Sequence, residues 1–164
     1  MVRPLVLAFA LVVATLIAPG TSAAQTVAQP TPTELAYFAD TAPFRAHLGE
    51  NQQWLEAIQQ AMTTGRAEEV TADELGNLTR ELFEAKQGFA RARPSTRLDL
   101  YDRTIKSSLD RAYTAAVMLM HAQVTESGPD RDALVHDAGL YTASSGKLLK
   151  DAATALAEAG LTLQ

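Results

Sequence analysis

Four stretches of the chain repeat apolar side chains at steps of three and four, the spacing that lines one face of an α-helix. In the first, Phe44, Leu48, Leu55, Ile58 and Met62 share a line with Asn51, and Gly65 supplies a stop. The second carries Leu75, Leu78, Leu82, Ala85, Phe89 and Ala92 in alternating steps, the seam of a helix packed at a shallow angle against neighbours. The third aligns Leu98, Tyr101, Ile105, Leu109, Ala112, Ala116, Leu119 and Gln123, and ends near Ser127-Gly128-Pro129. The fourth aligns Leu134, Ala138, Tyr141, Ser145, Leu148, Ala152, Ala155 and Ala159 before Gly160 closes it. Gly139 and Gly146 beside that stripe let its backbone approach a neighbouring helix.

The polar residues between these stripes supply the ends. Thr31-Pro32-Thr33-Glu34 and Thr71-Ala72-Asp73-Glu74 both place a hydroxyl at a cap and a carboxylate three residues on, so each predicts a helix start with a capping box. Val70 and Leu75 add a hydrophobic staple to the second. Pro94 ends the second helix and Ser95 is placed to cap the third. Pro43 lacks an amide donor and crowds the preceding turn, which predicts a kink or break near Thr41-Ala42 and a short N-terminal helical extension carrying Leu35, Tyr37 and Phe38. No stretch alternates β-branched and aromatic residues with period two, so no strand is expected. Short connections then predict an all-α, antiparallel up-down-up-down four-helix bundle with a Pro-kinked N-terminal extension.

Ahead of the bundle, Arg3, the apolar run Leu5–Ala18, the Pro19-Gly20 break and Thr21-Ser22-Ala23-Ala24 read as a cleaved signal peptide over residues 1–24. The run is shorter than the roughly 20 residues a membrane span needs. Residues 25–30 read as a flexible tether and 31–164 as one domain, so the expected destination is periplasmic, cell-envelope or extracellular.

Composition narrows the function classes. The 164 residues include 14 basic and 19 acidic side chains, a net charge of −5, which leaves no electrostatic footprint for nucleic acid or an anionic membrane surface. Absence of cysteine excludes disulfides, Cys-ligated zinc, iron–sulfur clusters, covalent haem and thiol catalysis. The three histidines, His47, His121 and His136, do not fall on a shared core-facing line. Met118, Met120 and His121 offer soft-metal or haem donors on one segment, too few to predict a site, and no cofactor is expected. Glu68, Glu69, Asp130 and Asp132 flank helix starts, where the dipole accounts for them. Arg91, Arg93 and Arg97 form a basic corner around Pro94, and Asn77-Leu78-Thr79 is a glycosylation sequon set inside a helix. Paired carboxylates with a histidine, phosphate loops and nucleophile elbows are all missing, so catalysis is not expected.

Ala115–Val124 is apolar on nearly every face, which points to a central or covered helix. Val117, Met118, His121 and Val124 are therefore the candidate surface for an unknown protein partner or a second copy of the chain, unless the Leu35–Phe38 segment folds back over it. The leading expectation is a secreted, non-enzymatic interaction module. The alternative is a small apolar-ligand carrier or sensor with a pocket at Ala112, Ala116, Tyr141 and Ser145, where small side chains meet polar tips.

Overall fold

The computed structural model describes residues 29–161, and within them every regular element is helical. The signal peptide read over residues 1–24 and most of the tether lie outside the described residues. Four helices, α1 (Pro32–Thr63), α2 (Ala72–Arg91), α3 (Asp99–Val124) and α4 (Pro129–Glu158), pack as a bundle, with short 3-10 turns at Ala67–Glu69 and Thr96–Leu98. No described helix is long and apolar enough to cross a membrane.

Helix starts follow the capping residues. Thr31 and Thr71 each accept the backbone N–H three residues on, while Glu34 and Glu74 reach back to the cap amides at 2.7 and 2.8 Å. Gly65 and Gly160 end α1 and α4 at φ of 75° and 67°, a backbone conformation that costs a residue with a Cβ about 1–2 kcal/mol. Beyond Gly160 the chain turns through a Schellman motif: Gly160 N–H donates to the Ala157 carbonyl and Leu161 N–H to that of Leu156. The motif drives Leu161 back into the bundle, where it is buried beside Leu156.

The stripes face one core. Leu55, Ile58 and Met62 of α1 meet Leu75, Leu78, Leu82 and Phe89 of α2, Ile105, Leu109 and Leu119 of α3, and Ala138, Ala152 and Leu156 of α4. Each large side chain buried there contributes about 1.5–3 kcal/mol. The α3/α4 contact is the most extensive, and α3 touches each of the other three helices. Glycines set how closely helices approach. A Cβ at Gly88 of α2 would overlap the Phe44 ring of α1, and one at Gly146 of α4 would lie 3.0 Å from Gln52 Nε2. That amide, freed to cross, donates to the Thr142 carbonyl of α4.

Three expectations about the α1 and α3 termini are corrected. Of the kink or break expected near Thr41-Ala42, the break is absent, since Pro43 sits inside α1. Pro43 offers no N–H to the Ala39 carbonyl, but side chains bracket the turn. The Thr41 hydroxyl donates to the Tyr37 carbonyl, and the Arg45 guanidinium donates to Thr41 Oγ1 and to the Phe38 carbonyl at 2.8 Å while lying over the Phe38 ring. With α1 unbroken, no fifth helix folds over Val117 and Met118. Tyr37 instead meets the start of α3, its hydroxyl donating to Asp102 Oδ1 at 2.9 Å. Ser95, at the N-cap of the Thr96–Leu98 turn, makes no capping bond, and its hydroxyl donates to Glu34 Oε1. The carboxylate of Glu34 outcompetes the amides because it is buried and charged.

Candidate functional site

One face of each of three helices converges on an apolar cavity. On α1 the steps of three and four bring Arg45, Leu48 and Gly49 to one side; on α3 Tyr101 and Ile105 stand one turn apart. Helix α4 contributes Leu149, Ala153, Leu156 and Ala157, and Leu161 closes the end. The cavity has a volume of about 460 Å³. It is an open groove rather than an enclosed void: Gly49, Ala153 and Ala157, which line it, are themselves exposed, and a Cβ at Gly49 would meet nothing within 4 Å.

Two polar groups interrupt this hydrocarbon lining. Arg45 is held by the bonds to Thr41 and Phe38 that bracket Pro43, which use its Nε and one terminal nitrogen. No carboxylate of the described residues pairs with it; the seven ion pairs all involve other cations. Tyr101 is 4% exposed and lines the same cavity. Its neighbour Asp102 gives one oxygen to Tyr37 and the other to Lys106 at 2.6 Å, and the Tyr101 hydroxyl bonds to no described residue. Burial pushes the Tyr101 pKa up, and the Arg45 charge opposes that shift. The Tyr37 pKa is also pushed up, first through burial and then through the adjacent Asp102 carboxylate.

Beside this cavity, Glu34, Ser95, Arg97 and the end of α4 form a polar clasp. Glu34 is 1% exposed, accepts from Thr31 N–H and Ser95, and pairs with Arg97 at 3.5 Å. Arg97 Nε donates to the Ala159 carbonyl at 2.7 Å, satisfying a C-terminal carbonyl of α4. The bond from Thr31 N–H holds the Glu34 carboxyl below its ordinary pKa, against the opposing effect of burial. The basic corner therefore divides. Arg91 and Arg93 are exposed, whereas Arg97 turns inward and ties the last helix to the first.

The residues singled out in the sequence stand elsewhere. Val117 and Met118 are half-buried, with Met118 packed on the core, while His121 is exposed and Val124 is 84% exposed. Met120 is 36% exposed, and its sulfur accepts from Thr79. Ala112, Ala116 and Ser145 are buried where α3 meets α4, with the Ser108 and Ser145 hydroxyls 3.0 Å apart. Tyr141 is half-buried under the Arg111 guanidinium. The histidines do not converge: His47 bonds Glu50 and lines a groove between α1 and α2, and His136 lines another between α1 and α4. Among the described residues no three His, Asp or Glu side chains gather as a metal set.

Arg45, Gly49, Leu149 and Leu161 escaped the sequence reading, which placed Tyr101 only on the core stripe of the third helix. The signal for them was present in α1, where a glycine and an arginine four residues apart interrupt an apolar line. No protein-family model, curated protein or solved structure matches the chain.

Proposed function

We propose that the protein is an exported, non-enzymatic binding module, an up-down-up-down bundle that holds a small, largely apolar molecule between α1, α3 and α4. The cavity carries this reading. Its 460 Å³ lies within the roughly 300–1,000 Å³ of small-molecule sites, and it combines a hydrocarbon lining with two polar groups, the usual composition of such sites. The up-down order is supported by the pairing of Arg97 with Ala159 and of Ser108 with Ser145, start to end and middle to middle. Export is supported by the Met1–Ala24 pattern.

Docking of a protein partner or a second copy at Val117, Met118, His121 and Val124 is the weaker reading. Val124 supports it, and the half-burial of Val117 and Met118 subtracts most of the apolar area it requires. Native mass spectrometry with the neutral dye Nile red separates the two. A monomer that takes up one dye, and loses it on Gly49→Phe or Ala153→Phe, is the expected result. Multiples of the chain that take up no dye would overturn the cavity reading in favour of association.

A further inference from the structure

The lining of the cavity is asymmetric, and the asymmetry identifies a ligand class. Leu48, Ile105, Leu149, Leu156 and Leu161 supply hydrocarbon, whereas the polar capacity is confined to Arg45 and Tyr101. Of the five guanidinium donors of Arg45, Thr41 and Phe38 use two, and three N–H groups remain without a partner among the described residues. The Tyr101 hydroxyl likewise has no protein partner among the described residues and opens onto the cavity. Both groups border an open groove, and a ligand that displaces their water has to accept from them in its place. Water can serve in the empty protein, but it cannot neutralise Arg45, and every acidic side chain in an ion pair is already committed to another cation.

Resting on the cavity reading above, we infer that the ligand is a single-chain amphiphile with a carboxylate head, of the fatty-acid type: the head accepts from Arg45 and Tyr101, and the chain lies along Leu48, Ile105, Leu149 and Leu156. A planar carboxylate matches the fork of a guanidinium edge, and the two bonds formed are charge-assisted. The pinning of Arg45 by Thr41 and Phe38 orients that edge before the ligand arrives, so little side-chain entropy is lost on binding. A neutral alcohol of equal length fits the same hydrocarbon wall but leaves the cation unpaired.

The test is calorimetric titration of the full chain with decanoate and with decanol. Wild type binds decanoate about tenfold or more tightly than decanol. Arg45→Met erases that preference while leaving decanol binding in place, and Tyr101→Phe reduces it by about fivefold. The wild-type comparison needs no substitution, so the inference stays testable if Arg45→Met weakens the Pro43 turn. Equal binding of the two by wild type, both lost on Gly49→Phe, would overturn the carboxylate head and leave the apolar cavity standing. Binding of neither would overturn both readings.

Discussion

The two sides of α1 illustrate how one architecture yields both a closed seam and a cavity. Against α2, the space beside Gly88 is filled by the Phe44 ring, and Leu75, Leu78, Leu82 and Phe89 are buried almost completely. Against α3 and α4, Gly49, Ala153 and Ala157 are exposed along an open groove of about 460 Å³. Both sides use helical spacing and ordinary helix formers. The difference is volume: a large ring over a glycine closes one interface, whereas a glycine opposite alanines leaves the other open.

The largest contrast should come from truncating one leucine on each side. Leu82→Ala removes a side chain 1% exposed from the closed seam and should cost about 2–5 kcal/mol by chemical denaturation. Leu149→Ala merely enlarges a space that already exists, next to a half-buried side chain, and should cost about 1 kcal/mol. Equal losses would mean that the α1/α4 side is packed as tightly as the α2 seam.

Glycine-to-alanine changes sharpen the comparison further, because they should differ in sign. Gly88→Ala forces the Phe44 ring aside and should destabilise by about 1–3 kcal/mol. Gly49→Ala meets nothing, removes a helix-interior glycine and should stabilise by about 0.5–1 kcal/mol. Thermal melting of the two variants reads both signs directly.

A smaller effect separates the clasp beside the cavity from the exposed capping box of α2. Glu34 and Glu74 both have folded-state pKa values below the ordinary 4.5. Their stabilisation is therefore full above that value and is lost as the pH falls through their lowered folded pKa values. Glu34 also ties to Ser95 and Arg97, whereas Glu74 serves only Thr71, so Glu34→Gln should flatten the acid limb of a melting-temperature profile more than Glu74→Gln. Identical profiles would remove the clasp as a distinct stabilising unit.

Much of the fold was legible before any coordinates. The capping boxes at Thr31 and Thr71, the stops at Gly65 and Gly160 and the whole buried stripe of α2 follow from hydrogen-bond satisfaction and periodicity, which act within a few residues. At Pro43 the local rule left a kink or a break open, and the helix runs through. The missing donor of Pro43 is an intrinsic property, but the Thr41 and Arg45 bonds that bracket its turn depend on rotamers chosen by the packed helix. The inward turn of Arg97 was equally hidden, because its partners Glu34 and Ala159 are distant in sequence and meet only when the first and last helices dock.

The candidate site divides along the same line. Sequence alone determined that the described residues are helical, where α1 and α2 begin and where α1 and α4 end, which faces are apolar, and that cysteine chemistry is absent, since each depends on residue type and near neighbours. It placed small side chains on α3 and α4 but could not say which of them would be covered. Ala112, Ala116 and Ser145 are closed in by the α3/α4 contact, whereas Ala153 and Ala157 face a gap. Only the tertiary structure decided that Gly49 of α1 stands opposite those alanines and that Arg45 and Tyr101 share the space. A cavity is the volume left between elements, set by how three helices and the Leu161 turn fit together, and no single segment encodes it.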